Sequence, residues 1–458
     1  MKMITSKRSG GNTAQQTAKV TKRVEKVESA LNSSLVGIEE LAKEKKFYKT
    51  SNSKISGISF ILATIKTILS GLNTLQNIAC QLAQILGETV SKQSVSQKFY
   101  SRHTDFASSV LKSLFQQRLF HLNPHETGIL APFKHVWVQD STCIALCPSM
   151  ASLFPGRTVK GELTASCRIQ TILDLKSNQY SQMNVGSFRN NDQSATADIL
   201  PMLTPSDLVL RDLGYAKIEV FQCIIDASAY FVSKLSYGVT IWDEIGNTQW
   251  DLLSKLKKTP FIDQMVRIGK EKKLLVRLVV TKLPDDVAER RRRTADKNKS
   301  GTTNHSKEYY EFLGYSVLIT NVTEDIWTSE QIFTLYRLRW RIEIIFKSWK
   351  SGALCLPTLL SNEKLSYGRV MMIIYCFLIL VAAFLMPIYA YCLKIKKNDG
   401  STPNISILKL AQWFKINYQD IDLTLPIEPQ IDKLAQLIIA YCCYDKRKKY
   451  PNFLQILN

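Results

Sequence analysis

Four side chains that suit phosphate or metal chemistry recur at helical spacing in the segment YRLRWRIEIIFKSWK: Tyr336, Arg339, Glu343 and Lys350. Their offsets from the tyrosine are three, seven and fourteen residues. At roughly 100° per residue, an α-helix places all four side chains within an arc of about 60°. The segment therefore predicts one helix face that presents a carboxylate, two cations and a phenol to an anionic ligand.

An apolar stripe runs beside this polar face and again follows helical spacing: Leu335, Leu338, Ile342, Phe346 and Trp349. Such a stripe packs on a hydrophobic core. The simplest alternative is a charged helix face that meets only solvent. Because the charges adjoin the apolar stripe rather than oppose it, we favour a functional face.

Further acids follow short β-rich runs upstream of the helix. The run KHVWVQD ends in Asp140, and the run LVLRD ends in Asp212. Carboxylates at strand ends that meet an acid on a later helix can bind Mg²⁺, which prefers oxygen ligands. Two such ions can activate a nucleophile and stabilise the leaving oxygen of a phosphodiester. The residue pattern alone does not separate Asp212 from Asp207 and Asp226 as the second acid.

The elements that would position these residues have the order of an α/β protein. From about residue 134, the pattern predicts strands over 165–175, 179–188, 229–235 and 316–321, with a helix over 218–226. Thr328 is a suitable N-cap for the helix that carries Glu343. After residue 355 the pattern is helical.

The segment NTLQNIACQLAQILGETVSKQSVSQKF predicts a helix, a turn at Gly87 and a second helix that begins after Ser91. A helix-turn-helix would present four side chains of the second helix to a DNA groove: Lys92, Gln93, Ser94 and Gln97. Any helical hairpin with a glycine turn has a similar pattern. The DNA-reading role of these residues is therefore a hypothesis.

The charge balance favours a polyanionic partner. The 458 residues include 60 Lys and Arg against 39 Asp and Glu, which gives a formal net charge of +21. An excess of this size favours nucleic acid first and an acidic membrane surface second. The length is sufficient for about two to four domains.

Two features bear on the compartment. The ten cysteines show no CxxC motif and no zinc spacing, and the polar N-terminus lacks the apolar core of a signal peptide, so a reducing cytosol is favoured. Residues 370–393 form an uncharged run of 24 residues that is long enough to cross a membrane. Because this run stands alone and Pro387 interrupts it, a buried core helix is the favoured interpretation.

The spacing of the helix residues resembles a family signature. Written as Tyr336-x2-Arg339-x3-Glu343-x6-Lys350, it resembles the Y-(2)-R-(3)-E-(6)-K signature of bacterial insertion-sequence transposases of the DDE type, in the IS-four family. The likeness covers roughly residues 60–390 and includes the segment RRRRTADKNKSGTTNHSKEYYEFLGYSVLITNV. The signature is specific because four fixed positions coincide with acids in suitable places upstream.

Two further blocks agree with the resemblance. The motif QDST, which contains Asp140, resembles the first-acid strand of the family, and SDLVLRDLGYAKIEVFQCIIDASAYFVSKL resembles its second-acid block. The Gly214–Tyr215 pair after the strand assigns the second acid to Asp212. Leu213 departs from the arginine that relatives often carry after this acid, which puts a phosphate contact there in doubt.

The resemblance implies a ribonuclease-H-like α/β core in which Asp140, Asp212 and Glu343 are catalytic and hold two Mg²⁺ or Mn²⁺ ions. It also implies that phosphates near the cleavage point are contacted by Tyr336, Arg339 and Lys350. A basic run is interpreted either as a solvated loop or as a surface along the DNA duplex: Arg290, Arg291, Arg292 and Arg293. Relatives stack a displaced base on a tryptophan of a β-rich insertion; Trp242, Trp250 and Trp327 are candidates, although a core position is favoured for each.

The expected domain organisation has five parts. These are a mobile basic arm over 1–52, a helical DNA-binding domain over 53–125, the ribonuclease-H-like core over 126–236 and 313–395, a β-rich insertion over 237–312, and a C-terminal helical region over 396–458.

These observations predict a transposase that binds the terminal inverted repeats of its own insertion sequence and cuts and transfers DNA strands. We expect double-stranded DNA, both transposon ends and target, as the partner of a homodimer in a synaptic complex. The expected location is the bacterial cytoplasm, associated with the nucleoid and without a membrane. One alternative is a catalytically inactive, DNA-binding derivative, and another is a membrane-anchored basic protein.

Overall fold

The structure is a computed structural model, and it describes residues 37–48, 53–117, 128–298, 305–398, 404–419, 421 and 428–445. The chain divides into two compact units. The helical unit comprises Met1–Leu122, Ala145–Met150 and Lys347–Arg447. The sheet unit comprises Asn123–Ile144, Ala151–Phe346 and Lys448–Asn458. Most of the expected arm over 1–52 lies outside the described residues.

A single mixed sheet forms the centre of the sheet unit. Its strands are β1 (Val136–Ala145), β2 (Pro155–Val159), β3 (Glu162–Asp174), β4 (Gln179–Ser187), β5 (Leu208–Arg211), β6 (Tyr230–Lys234), β7 (Ile241–Trp242), β8 (Gln249–Trp250), β9 (Phe261–Ile268), β10 (Leu274–Lys282) and β11 (Tyr315–Thr320). The order is β2-β3-β1-β5-β6-β11-β10-β9-β7-β8, and β4 pairs with β3. Strands β1, β5 and β6 are parallel, whereas β6, β11, β10 and β9 pair antiparallel. The α/β prediction is confirmed in this general form.

The parallel centre of the sheet is buried on both faces, as parallel strands require. All four residues of β5 are buried. Val209 of β5 and Phe231 of the neighbouring β6 join a cluster with Val276 and Ile319. The helix α6 (Ile218–Asp226) connects β5 to β6 and buries one apolar face through Val220, Phe221 and Ile224. This βαβ connection fixes where the end of β5 lies.

The segment expected as a separate β-rich insertion continues the same sheet. Strands β7 to β10 lie within residues 237–312, together with the helices α7 (Leu252–Lys258), α8 (Asp285–Lys297) and α9 (Lys307–Phe312). Arg290 to Arg293 lie on α8, so their interpretation as a loop is wrong. The helix begins after Pro284 with Asp285 and Asp286 in its first turn, which favours helix initiation.

The helix expected over residues 336–350 is interrupted. Helix α10 (Ser329–Tyr336) begins with a capping box formed by Thr328 and Gln331, which confirms the predicted cap. A 3₁₀ turn over Arg337–Arg339 follows, and α11 (Trp340–Lys350) continues. A 3₁₀ turn has about 3.0 residues per turn, so one α-helical arc no longer relates the four side chains. The predicted apolar stripe is buried throughout.

The helical unit contains α1 (37–44), α2 (Gly57–Ser70), α3 (Leu75–Leu86), α4 (Lys92–Gln97), α5 (Thr104–Gln117), α12 (Leu356–Leu359), α13 (Tyr367–Leu380), α14 (Met386–Asn398), α15 (Ile407–Asn417) and α16 (Glu428–Tyr441). The predicted helical hairpin is confirmed: Gly87 ends α3 with a φ of 71°, and the Ser91 side chain caps α4. The N-terminal and C-terminal helical segments both lie in this unit.

The long apolar run is a core helix of the helical unit. It spans Tyr367–Lys396, and 89% of its most apolar window is buried within the described structure. A π-helical turn over Val381–Leu385 separates α13 from α14. It ends two residues before Pro387, whose missing N–H removes a helix hydrogen bond. The segment was expected within the catalytic core, whereas here its first part, α13, packs with α2 and α5.

Candidate active site

The register between β1 and β5 brings two aspartates to the same rung. Gln139 pairs with Arg211, so Asp140 and Asp212 are the next residues of two neighbouring parallel strands. Side chains alternate between faces along a strand, so both carboxylates lie on the face opposite to Gln139 and Arg211. Asp212 directly follows β5 as expected, but β1 continues to Ala145, so the prediction that Asp140 ends its strand is wrong.

The guanidinium of Arg339 lies among three carboxylates. Its Nη2 is 2.7 Å from Oε1 of Glu343, and its Nη1 is 3.3 Å from Oδ2 of Asp140. Its Nε is 3.7 Å from Oδ1 of Asp212, an ion pair that is too long for a hydrogen bond. The structure thus brings together all three predicted acids around one predicted cation.

The 3₁₀ turn is what directs Arg339 into this position. Arg339 is the last residue of the turn and its side chain is only 4% exposed, whereas its neighbours Arg337 and Trp340 are exposed. Glu343 lies one turn further along α11, so the arginine and the glutamate meet at a spacing of four residues. The local structure therefore preserves the convergence that a continuous helix was expected to produce.

Tyr336 contacts the strand end rather than the carboxylates. Its hydroxyl donates a 2.9 Å hydrogen bond to the backbone oxygen of Arg211, the residue before Asp212. The phenol is buried, and this burial raises the pKa of Tyr336. In the described arrangement this hydroxyl ties α10 to the end of β5.

Lys234 is a cation of the site that no sequence motif indicated. It ends β6, next to β5, and its Nζ is 3.9 Å from Oδ1 of Asp212. Burial is the main cause that lowers the pKa of Lys234, and the charge of Asp212 opposes this effect. Its only sequence signal was its place at the end of a predicted strand beside the second-acid strand.

Burial and neighbouring charges shift the pKa of Asp140, and that of Arg339, in opposite directions. Burial raises the pKa of Asp140 to about 7, although the Arg339 charge favours the ionised carboxylate. Burial lowers the pKa of Arg339, but the charges of Asp212 and its neighbours outweigh this effect and raise it overall. The site therefore combines a persistent cation with an aspartate whose burial opposes its ionisation.

Carboxylate oxygens are the ligand type that hard divalent cations prefer, and three carboxylates surround the Arg339 guanidinium. Within the described ranges, no group of three or more acidic, histidine or cysteine side chains is arranged to hold a metal ion. Arg339 supplies the positive charge between the acids in this arrangement. The residue types fit a metal, and the three acids would be its ligands.

The remaining predicted phosphate contacts are dispersed. Lys350 is exposed at the end of α11 and belongs to the helical unit. On α8, Arg290 and Arg293 are exposed and pair with acids four residues earlier, whereas Arg292 donates to the backbone oxygen of Tyr310. Arg291 is half-buried and donates to the backbone oxygen of Tyr315 at 3.0 Å.

The tryptophan candidates differ in exposure. Trp327 is a fully buried core residue that donates to the backbone oxygen of Ile129 at 2.9 Å. Trp242 and Trp250 are half-buried, and each has a lysine ammonium within about 4 Å of its ring centre: 3.8 Å from Lys273 and 4.0 Å from Lys255, respectively. A stacked base would have to share or displace these cation–π contacts.

The candidate DNA-reading residues all lie on the exposed side of α4. Lys92, Gln93 and Gln97 are exposed, whereas Val95 between them is buried. The helix therefore packs through Val95 and presents the three polar side chains outward.

An aspartate within β1, an aspartate directly after β5 and a glutamate on α11 thus converge beside a mixed α/β sheet. The chain belongs to the family described as the transposase DDE domain, which matches residues 132–377. Membership implies an enzyme that cleaves and transfers DNA strands, and members generally use divalent metal ions.

Similar proteins carry related descriptions. The transposase for insertion sequence element IS231B of Bacillus thuringiensis subsp. berliner is 29% identical over 338 residues, which are 69% of this chain and 70% of that protein. The transposase for element IS1151 of Clostridium perfringens is 25% identical over 339 residues, with the same coverage of 69% and 70%. A cryo-EM structure of the piggyBac transposase synaptic complex with hairpin DNA matches 94% of this chain and 84% of that one, at a TM-score of 0.40 and 7% identity.

Proposed function

We propose that this chain is the transposase of an insertion sequence, which binds the terminal inverted repeats of its own element and moves it by cut-and-paste transposition. The convergence of Asp140, Asp212 and Glu343 on Arg339 carries this proposal. These acids come from β1, the end of β5 and α11, all within the residues that match the transposase DDE domain.

The three acids would hold Mg²⁺ or Mn²⁺, two ions per active site. When bound, the ions supply an activated water for nicking and stabilise the leaving oxygen. Asp140 and Asp212 are held on one sheet face by their strands, and Glu343 is held by α11, so their mutual positions do not depend on a flexible loop. Arg339 balances their charge and, with Tyr336 and Lys350, would position phosphates near the cleavage point.

The DNA contacts would extend beyond the acids. The net charge of +21 suits a polyanion, and the exposed residues Lys92, Gln93 and Gln97 of α4 would read the terminal repeats. The four arginines of α8 would line the duplex, and Trp242 or Trp250 would stack a displaced base. Both ends and the target would be held by a homodimer in a synaptic complex.

The parallel centre β1-β5-β6, with acids at β1 and β5, supports a ribonuclease-H-like catalytic core. The expected division into a DNA-binding domain, core, insertion and C-terminal region stays part of this proposal. So does the location in the bacterial cytoplasm, associated with the nucleoid.

The proposal is tested by excision of a minimal element, flanked by its inverted repeats, from a plasmid in cells. The wild type should excise the element, Glu343→Gln should not, and Glu330→Gln, an exposed substitution in the first turn of α10, should behave as wild type. Purified Glu343→Gln should still bind the ends in a gel-shift assay. A wild type that binds ends but never excises would indicate a DNA-binding derivative instead.

A further inference from the structure

Asp192 lies in the segment between β4 and β5, outside every predicted motif, and accepts hydrogen bonds from several neighbours on one oxygen. Its Oδ1 accepts from Ser141 Oγ at 2.6 Å and from Arg168 Nη1 at 2.9 Å. The same oxygen accepts from Gln170 Nε2 at 3.2 Å. It also lies 3.2 Å from Tyr215 Oη, whose single proton is shared with Gln170 Oε1 at 2.6 Å. Hydrogen bonds to an ionised carboxylate are about twice as strong as those between neutral groups.

The donors to Asp192 belong to the two segments that carry the candidate acids. Ser141 directly follows Asp140 in β1, and Tyr215 ends the 3₁₀ turn that begins directly after Asp212. Because side chains alternate along a strand, Ser141 leaves β1 on the face opposite to Asp140. Asp192 therefore holds both acid-bearing segments from behind, without contacting the acids.

The chain just after Asp192 makes the same connection a second time. The backbone oxygen of Ala195 accepts from Gln139, and that of Thr196 accepts from Arg211, which are the residues before the two acids. Thr196 Oγ1 also donates to the backbone oxygen of Tyr215 at 2.7 Å. Residues 192–196 thus contact β1 and β5 on both sides of each acid.

The space around Asp192 limits which substitutions the contact between Asp192 and the turn after Asp212 tolerates. A Cβ atom at Gly214 would lie 3.2 Å from Oδ2 of Asp192, so only glycine lets the turn after Asp212 approach the carboxylate without displacement. Asp192 is 30% exposed and Arg168 is 13% exposed, so the pair lies at the edge of the core rather than within it. This position leaves room for a polar substitution without a buried cavity.

We propose that Asp192 is a positioning residue of the active site, which sets the separation of Asp140 and Asp212 for metal binding. The inference rests on the proposed function and names a residue that acts through Ser141 and Tyr215. Groups that orient metal ligands in this way typically change metal affinity or activity about 10–100-fold when they are replaced.

The test measures Mn²⁺ binding by electron paramagnetic resonance, with an end duplex present, and the Mg²⁺ concentration that gives half-maximal cleavage. Asp192→Asn keeps the side-chain shape but removes the charge that Arg168 and the hydroxyls contact. We expect its Mn²⁺ affinity to fall about 10-fold, and its half-maximal Mg²⁺ concentration to rise by a similar factor. Cleavage at saturating Mg²⁺ should recover toward the wild-type rate, because the acids themselves are intact.

Two further variants keep the test decisive. Asp226→Asn removes an exposed carboxylate that accepts from Gln222, and it should match the wild type in both measurements. Ser141→Ala removes one donor, leaves the Asp192–Arg168 pair intact, and should raise the half-maximal Mg²⁺ concentration about 3-fold, a smaller effect than loss of the carboxylate charge. Ser141→Ala serves as the test variant if Asp192→Asn does not fold.

The two kinds of failure are distinguishable. Unchanged Mn²⁺ affinity and Mg²⁺ dependence in Asp192→Asn, or a loss only in proportion to the unfolded fraction, would reject the positioning role while Glu343→Gln still abolishes cleavage. If the wild type does not cleave, and Glu343→Gln binds Mn²⁺ as tightly as the wild type, the proposed function is rejected. The role of Asp192 is then rejected with it.

Discussion

Asp140 and Asp212 each stand one residue beyond the last register pair of β1 and β5, and both ion-pair with the same arginine side chain. The sheet register therefore determines their proximity, and no loop conformation is needed to bring them together. The third acid reaches the same guanidinium from α11. A cluster of this kind concentrates negative charge before any ion or DNA binds, and one buried cation stabilises it.

Removal of the Arg339 side chain should leave three acids without their common cation. Arg339→Ala should destabilise the metal-free protein by about 3 kcal/mol, which is near the lower end for a broken buried ion pair. The effect is at the lower end because solvent screens the Asp212 and Glu343 carboxylates, which are 36% and 38% exposed. Mg²⁺ should raise the unfolding temperature of this variant more than that of the wild type, because a bound cation replaces the lost charge. Differential scanning calorimetry with and without Mg²⁺ measures both effects.

The matched control is Arg337→Ala, which removes an exposed arginine of the same 3₁₀ turn. It should show the wild-type response to Mg²⁺. An equal Mg²⁺ effect in Arg339→Ala and the wild type would contradict the assigned charge balance.

A close backbone approach in the helical unit predicts a large effect of one methyl group. A Cβ atom at Gly368 in α13 would lie 2.1 Å from the backbone oxygen of Phe99 and 2.8 Å from the backbone N of Ser101. Gly368→Ala should therefore displace the connection between α4 and α5 and reduce the free energy of unfolding by about 3 kcal/mol. Urea unfolding checks this value; Gly352→Ala, where nothing lies within 4 Å of the new Cβ, should change it little.

Asp174 predicts a dependence of stability on pH. Burial raises the pKa of this carboxyl, but hydrogen bonds from His135, Ser177 and the backbone of Val136 outweigh burial and lower it overall. A carboxyl whose pKa is lower in the folded than in the unfolded state stabilises the fold above the unfolded-state pKa. This stabilisation is lost as the pH falls through the folded-state pKa. Asp174→Asn should thus cost about 2 kcal/mol at neutral pH.

The stability difference between Asp174→Asn and the wild type should shrink as the pH falls below about 4, where the carboxyl becomes protonated. Urea unfolding at a series of pH values measures it. A difference that persists undiminished well below about pH 4 would contradict the role of the ionised carboxylate.

The exposed side of α4 predicts two separable effects on DNA binding. Lys92→Ala should weaken end binding and reduce the slope of log K against log salt by about 0.9, because one phosphate contact is lost. Gln93→Ala should instead reduce the preference for the terminal repeat over unrelated DNA by about 1–3 kcal/mol. Fluorescence anisotropy at several salt concentrations separates the effects, and Lys112→Ala, an exposed residue of α5, serves as control.

Local signals predicted much of the structure. The bounds of α6, the strand that Asp212 follows, the Thr328 cap and the turn between α3 and α4 all depend on neighbouring residues, which the sequence displays directly. The apolar stripe of α11 was also predicted, because helical periodicity survives a short 3₁₀ turn.

The features that the sequence did not predict depend on contacts between residues far apart in the chain. β1 continues past Asp140 because β3 pairs beside it, and the residues after the aspartate carry no clear β pattern. Helix α8 buries only Ala288 and Ala295, so its sequence has no apolar stripe to distinguish it from a loop. Asp192 and Lys234 belong to the site only through contacts with distant strands, which no local pattern encodes.

The central claim is tested most directly by single-turnover cleavage of a labelled end duplex by the purified protein in Mg²⁺. The wild type should release a 3′-hydroxyl at the element end. Asp140→Asn, Asp212→Asn and Glu343→Gln should each bind the duplex normally but cleave at least about 100-fold more slowly, since loss of a ligand should cost no less than loss of its support. Wild-type cleavage rates in any one of the three variants would contradict the account.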